Sequence, residues 1–311
     1  MVVKIGVLWD AEVTHGNDFP FEKESLHATY RLFSELAGQK GGKLYIANFE
    51  KYSEKVLEKA YVYEDGWKEV EDVELDVVFD KYKFDDETRK FKQELQMEVP
   101  VINRYELEEI CKDKLLTYKK FPDFVPETKK ATRINVEKIL KKYEKAVSKP
   151  RYDFGGHGVE VVERPAQVEP ARDKILQAFV DSTEGYDPLR IEGVHDLRVI
   201  VVSGKPLTAY FRMANGGYIS NVSRGGSTKY IDIDQVPDSA MEIVETVIDE
   251  FSEYDPTIYS VDMVFDSEGK PHILEFNSKP ALDMHDDEEI TERKRPAMER
   301  LVEELVDLGK N

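Results

Sequence analysis

Asp262, Glu275 and Asn277 carry the clearest chemical signal in this chain. They lie in the segment Tyr259-Ser260-Val261-Asp262-Met263-Val264-Phe265-Asp266-Ser267-Glu268-Gly269-Lys270-Pro271-His272-Ile273-Leu274-Glu275-Phe276-Asn277, which reads as two apolar strands about the turn Ser267-Glu268-Gly269-Lys270. A four-residue loop sets Asp266 opposite Pro271, Val264 opposite Ile273 and Asp262 opposite Glu275. Side chains alternate along a strand, so Asp262, Glu275 and Asn277 project from one side. Facing carboxylates repel, and a cation between them relieves the clash that the empty site would hold. Two carboxylates and an amide oxygen form a hard donor set that suits Mg²⁺ carrying phosphate better than Zn²⁺. The plainer alternative is an ordinary hairpin with two solvated acids.

A second feature is Ser148-Lys149-Pro150-Arg151-Tyr152-Asp153-Phe154-Gly155-Gly156-His157-Gly158-Val159. A lysine at a strand end precedes three glycines, whose backbone amides can close over phosphate oxygens while the lysine supplies a positive charge. The pattern is neither a Walker loop nor a dinucleotide fingerprint, and by itself it also fits a plain hairpin turn.

The elements that must position these residues follow from periodicity. Residues 4–9 predict a strand, and residues 25–37 an amphipathic helix with Leu26, Tyr30, Phe33 and Leu36 or Ala37 on one side. Strands at 43–49, 75–79 and 99–103, a hairpin about Glu64-Asp65-Gly66 and a helix at 86–96 complete a small, mostly parallel α/β unit. Residues 106–120 read as a polar helix, Pro122 and Pro126 mark a linker, and 135–143 is helical. Strands at 146–148 and 159–162 flank the glycine loop. Beyond Tyr186 strands dominate, at 189–193, 197–202 and 208–214, before the Asp262–Glu275 hairpin. Helices are expected at 241–251 and 290–308, the latter with Met298, Leu301, Val302, Leu305 and Leu308 as its core stripe.

Composition bounds the function. The 311 residues suffice for two domains or one with a split core, and 41% hydrophobic with 34% charged residues describes a globular chain. A net charge of −19 argues against broad nucleic-acid binding but leaves room for a local basic pocket. No apolar run reaches the roughly 18 residues of a membrane span. The first ten residues have a strand's length and lack a signal peptide's cleavage region, and the lone Cys111 excludes an internal disulfide; both fit a reducing cytoplasm. Cys111 reads as a buried structural thiol. His15, His27, His272 and His285 show no metal-ligand spacing.

Taken in order, Lys149, the glycine loop, His195-Asp196-Leu197-Arg198, Asn221-Val222-Ser223-Arg224-Gly225-Gly226 and Asp262 … Glu275-Phe276-Asn277 resemble the ATP-grasp superfamily. The nearest look is to its glutathione synthetase and ribosomal-protein glutamate ligase branch, over roughly residues 105–308. The resemblance implies an α/β chain, α+β in its C-terminal part, with an ATP-grasp fold preceded by a small Rossmann-like domain. Residues 1–105 would be that N-terminal domain, 106–185 the small subdomain with the lid loop, and 186–311 the C-terminal subdomain with the magnesium site.

By this resemblance Lys114 and Lys149 touch ATP phosphates, and Gly155, Gly156 and Gly158 form the lid. Gln177-Ala178-Phe179-Val180 is the linker strand whose backbone meets the adenine edge, with Asp181 or Glu184 near the ribose. Asp262, Glu275 and Asn277 match the magnesium ligands, with two ions expected and Glu275 bridging them. Arg198, Asn221 and Arg224 would line the place of γ-phosphate transfer, where a guanidinium can bind phosphate by two parallel hydrogen bonds and stabilise growing charge. Arg212 ranks below them. His157 could contact phosphate or substrate, and His195 could equally pack.

Two departures stand out. Asn277-Ser278-Lys279-Pro280-Ala281 puts a lysine where relatives carry a small residue, so Lys279 reads a substrate carboxylate or is exposed. Gly185-Tyr186-Asp187-Pro188 is unlike the short connector expected near the ribose. The implied activity is an ATP- and Mg²⁺-dependent carboxylate–amine ligase acting through an acyl phosphate, which needs no nucleophilic side chain. The alternatives are a small-molecule kinase on the same fold and a non-catalytic ATP-binding module. Expected partners are ATP and small carboxylate and amine substrates, with no nucleic acid and no membrane; homo-oligomerisation stays open. Substrate recognition is expected from residues 10–21, at the carboxyl end of the first strand, and from 212–224.

Overall fold

A computed structural model describes residues 2–10, 20, 21, 23–153, 156–217, 225–283 and 288–310. The near-continuous apolar run of β1 (Val3–Trp9) is what a strand covered on both faces requires, and β1 lies inside the first sheet. It pairs in parallel with β2 (Gly42–Asn48) and with β6 (Val77–Asp80), and β6 pairs with the short β7 (Val101–Ile102). An antiparallel extension of β3 (Tyr52–Ser53), β4 (Val56–Tyr63) and β5 (Trp67–Glu74) grows from β2. The helix α1 (Glu24–Gln39) buries Leu26, Tyr30, Phe33, Leu36 and Ala37, the stripe its spacing predicts. The helix α2 (Thr88–Glu98) precedes β7.

The expected helix over 106–120 is two helices, α3 (Tyr105–Lys112) and α4 (Lys114–Lys120). The break is Asp113, which takes an extended backbone and accepts a hydrogen bond from the Leu115 N–H at 3.0 Å, as an N-cap does. After it come β8 (Thr128–Lys130), α5 (Arg133–Tyr143), β9 (Ala146–Pro150), β10 (Glu160–Val162) and β11 (Lys174–Ala178). These strands form a second, antiparallel sheet in the order β10-β9-β11-β8, with α5 covering one face.

The third sheet has the order β14-β13-β12-β15-β16, from β12 (His195–Val202), β13 (Lys205–Met213), β14 (Ser227–Ile231), β15 (Ile258–Phe265) and β16 (Pro271–Asn277). Alternation gives its faces different jobs. Leu197, Val199, Val201, Phe211, Val261 and Met263 pack with α6 (Asp238–Phe251) and with Leu107 and Cys111 of α3. On the other face Ile200, Val202 and Ile258 lie in one core with Val3, Ile5 and Val7 of β1 and with Met298, Leu301, Val302 and Leu305 of α7 (Glu288–Leu308). The C-terminal helix therefore seals the first and third sheets together.

The strand expected at 189–193 is absent. Asp187–Leu189 is a 3-10 turn, Arg190 is left-handed, and a lone bridge joins Tyr186 to Ile191. Pro188, at the start of that turn, removes a backbone donor and fixes a turn-compatible φ.

Because α7 holds both sheets, Leu301→Ala should lower unfolding free energy by about 2–5 kcal/mol. Urea titration followed by circular dichroism checks this; a loss below about 1 kcal/mol would mean that α7 is not a shared core element.

Candidate active site

The Asp262–Glu275 hairpin holds the predicted pairing by an unexpected route. Phe265 faces Pro271, Val264 faces His272 and Met263 faces Ile273, one residue off the expected register. A bulge between Asp262 and Met263 then restores Asp262 opposite Glu275 and Ser260 opposite Asn277. The extra residue is Leu274, which lines a cavity beside Glu275, as bulges do when they re-aim side chains.

That cavity, about 160 Å³, lies between the second and third sheets. Lys149 reaches it from β9, where its Nζ donates to Gln177 Oε1 at 2.9 Å and to the Leu274 carbonyl at 3.4 Å. Burial, with Lys114 nearby, pushes the Lys149 ammonium down to about 8. Lys114 opens α4, donates to the Asp153 carbonyl at 2.5 Å and stands 3.7 Å from Glu275 Oε2. Asp113 grips Arg151 by two bonds, 2.6 and 2.5 Å, so the root of the glycine loop is tied to the start of α4. Gly156 and Gly158 have φ of 73° and 65°, and a Cβ on Gly158 would come within 3.1 Å of the Pro150 ring. Gly155 lies outside the described residues.

A charge network crosses three strands, β12, β13 and β15, on the cavity side of the third sheet. Arg198 Nε and a terminal nitrogen donate to Asp262 Oδ1 and Oδ2 at 2.7 and 2.5 Å. Arg212 donates to Asp262 Oδ2 at 2.7 Å and to Asp196 Oδ1 at 2.6 Å, and Ser260 Oγ donates to Asp262 Oδ1 at 3.0 Å. Asp262 has no exposure, and the two guanidinium groups hold its carboxyl down to about 2 against the desolvation that opposes ionisation. The clash expected between Asp262 and Glu275 is thus answered by arginines and by Lys114 in the protein itself.

Several expectations are redistributed. Arg212 lines the cavity and Arg198 does not, the reverse of their ranking from sequence. Asn221 and Arg224 lie outside the described residues. Phe179 and Val180 line the cavity, and Gln177 also bonds Thr128 Oγ1 at 3.0 Å. Asp181 and Glu184 are exposed and absent from the lining; Asp181 accepts from Thr183, and Ser182 and His195 line that wall instead. Burial lowers the His195 pKa, keeping the ring neutral. Asn277 lines a neighbouring cavity and its Oδ1 accepts from the Lys279 N–H at 2.9 Å. Lys279 is neither exposed nor turned to a ligand: its Nζ donates to Asp80 Oδ2 at 2.7 Å and to the Tyr82 carbonyl at 2.6 Å. Among the described residues no three His, Cys, Asp or Glu side chains gather as a metal cluster. The expected set is two carboxylates and an amide on one hairpin face, and its donors are of the right type for Mg²⁺.

Arg212, Ser182 and Leu274 were underrated or missed from sequence. The alternation Asp196-Leu197-Arg198 could have flagged Arg212, since antiparallel pairing sets Asp196 opposite Arg212 and Arg198 opposite Asp262.

Residues 111–281 match the family model of the ATP-grasp domain. The chain belongs to the ATP-grasp family. It is 28% identical over 148 residues to the tetrahydromethanopterin:α-L-glutamate ligase of Methanocaldococcus jannaschii, over 46% of this chain and 48% of that protein. The match therefore spans about half the length of that curated relative. Among solved structures, D-alanyl-alanine synthetase A from Vibrio cholerae aligns over 100% of both chains with a TM-score of 0.66 and 13% identity. A D-cycloserine synthetase aligns over 96% of this chain and 99% of its own, with a TM-score of 0.64 and 15% identity. Full-length alignment at such identity shows that the ATP-grasp architecture, including the preceding α/β sheet, is shared. No helix among the described residues is long and apolar enough to cross a membrane.

Asp262→Asn leaves the buried Arg198 facing a neutral partner and Arg212 with Asp196 alone, so stability should fall by about 3–5 kcal/mol. Urea denaturation of the variant measures this, and an unchanged midpoint would show that the arginines do not depend on Asp262.

Proposed function

We propose that this ATP-grasp protein is an ATP- and Mg²⁺-dependent carboxylate–amine ligase. The observation that carries the reading is the convergence of Lys114, Lys149, Arg212, Asp262 and Glu275 on one cavity whose wall also holds Phe179 and Val180. Two lysines beside a pair of facing acids suit a nucleotide's phosphates and their accompanying cation; among the described residues no acid–base triad accompanies them, and burial pushes the Cys111 thiol well up. The relative's name, a glutamate ligase, and the synthetases that share the fold support amide formation over other phosphoryl transfers.

In the proposed reaction a carboxylate oxygen of the acceptor attacks the γ-phosphorus of ATP. The bond to the β–γ bridging oxygen breaks, giving an acyl phosphate and ADP. An amine then attacks the acyl carbon, phosphate leaves with the former C–O electron pair, and the amine loses a proton to form the amide. Lys114 and Lys149 hold the phosphates, and Arg212 neutralises charge growing on the transferred group. Asp262, Glu275 and Asn277 would hold Mg²⁺, whose chemistry is to neutralise and orient the phosphates. For Asp262 this means exchanging a guanidinium contact, because its acceptor positions are filled. Residues 1–105 serve acceptor recognition, 106–185 carry the lid, 186–311 the metal face, and the setting is the cytoplasm.

Phosphate release from purified protein with ATP and Mg²⁺ should require both a carboxylic acid and an amine. Release with a hydroxyl acceptor alone would favour a kinase, and tight ATP binding with no turnover in a broad screen of acids and amines would favour a binding module.

Lys149 also sets a pH dependence. The protonated ammonium binds phosphate, its folded value in the free site is about 8, and bound phosphate raises that value. ADP affinity should therefore be flat at neutral pH and weaken above pH 8, by about tenfold per unit at the limit. Calorimetric titration from pH 6.5 to about 9.5 reads this, and Lys149→Met should abolish the slope along with most of the affinity.

A further inference from the structure

The second cavity, about 300 Å³, lies against the nucleotide cavity and shares Asp153 with it. Its walls come from the loop after β6 (Lys81 to Phe84), from Lys112 at the end of α3, and from the Asn277–Lys279 turn after the metal-face hairpin. Three of its lysines have sharply different surroundings. Lys279 is matched: with Lys92 it faces Asp80 and Glu108, at 2.7 and 3.2 Å from Lys279 and 2.6 and 3.8 Å from Lys92, two cations against two anions. Lys81 and Lys112 have no carboxylate within 4.0 Å among the described residues. Their ammonium groups lie by ring faces instead, Lys81 at 5.6 Å from both Trp9 and Phe79 and Lys112 at 5.2 Å from Phe84, whose carbonyl also accepts from it.

That is unusual in a chain with 63 acidic and 44 basic side chains, where carboxylate partners are plentiful. Cations drawn partly out of water are costly, and for both lysines desolvation lowers the pKa against the attraction of more distant carboxylates, Asp283, Asp80 and Glu108 for Lys81 and Asp85, Asp86 and Glu109 for Lys112. Of the acids that also line the cavity, Asp10 accepts from the Lys83 N–H at 2.9 Å, and neither Asp10 nor Asp153 forms an ion pair within 4.0 Å with Lys81 or Lys112. Lys83 is exposed and has Asp85 at 3.7 Å. Among the described residues no carboxylate closes on either lysine, which leaves room for an anionic ligand to do so.

We infer that this cavity is the acceptor subsite and that Lys81 and Lys112 select a carboxylic acid bearing at least one further anionic group. The inference rests on the ligase reading: the activated carboxylate lies on the Asn277 side, beside the nucleotide, and the second anion meets the two lysines. Lys279, the residue that sequence pointed to for this task, is a strut of the wall.

The test compares phosphate release, at saturating ATP and Mg²⁺ and with a panel of amines, for acids that carry successive carboxylates on one propane skeleton: butyrate, glutarate and propane-1,2,3-tricarboxylate. Stimulation by the di- or tricarboxylate and not by butyrate is expected. In Lys81→Met and Lys112→Gln the acceptor KM should rise at least about tenfold while the KM for ATP stays unchanged, and Lys112→Arg should recover most of the loss. Equal use of butyrate, or variants whose acceptor KM matches wild type, overturns the inference and leaves the ligase reading standing. If no acid supports turnover, the ligase reading fails first, and calorimetry with propane-1,2,3-tricarboxylate on the ADP-saturated protein decides the subsite. Binding that weakens at least about tenfold in Lys81→Met supports the anionic subsite; no binding overturns it.

Discussion

The rest of the site depends on one buried carboxylate. Asp262 has about four acceptor positions, and two from Arg198, one from Arg212 and one from Ser260 occupy them. A carboxylate with no exposure and no such partners would be neutral or would drive the sheet apart. With them, the third sheet can carry charge on one half of a face whose other half is apolar core. Asp196 then neutralises Arg212, and the network closes with two guanidinium groups against two carboxylates. Glu275, the next acid along, is left to Lys114 at 3.7 Å, so the β15–β16 hairpin and α4 are linked by charge.

The first sheet is joined to this machinery at three levels. Apolar packing under α7 fuses β1 and β12 into one core. Asn103, after β7, donates to the Ile258 and Ser278 carbonyls at 2.7 and 2.6 Å and accepts from the Ile258 N–H at 2.7 Å, spanning the strand before Asp262 and the turn after Asn277. The buried Asp80, Lys92, Glu108 and Lys279 then tie β6, α2 and α3 to the same turn. Buried ion pairs of this kind add little net stability against an apolar alternative, but they fix which groups meet. A fixed turn holds Asn277 and Lys279 at the wall of the second cavity.

Conservation of architecture with divergence of sequence is what such a division of labour permits. Structures with 13% and 15% identity share the full arrangement, because sheets and helices need apolar periodicity rather than particular residues. The walls of the second cavity come from loops and from the ends of β6 and α3, where residue identity is freer to change than in the packed core.

By itself the sequence determined the family, the alternating α/β make-up of the first unit, the core stripes of α1 and α7, and the facing of Asp262 with Glu275. Each of these is a local regularity, a period of 2 or 3.6 or a motif of fixed spacing, and local regularity is legible along a chain. Three-dimensional packing decided the rest. Whether Arg198 or Arg212 meets the cavity depends on which strand pairs with which, and the bulge at Leu274 depends on hydrogen bonds between strands. The same holds for the absence of Asp181 and Glu184 from the cavity lining, the capture of Lys279 by Asp80 and the placement of Lys81 and Lys112 beside ring faces. A charged residue's role is set by the dielectric and the partners around it, and residues 199 positions apart, such as Lys279 and Asp80, meet only when the chain folds.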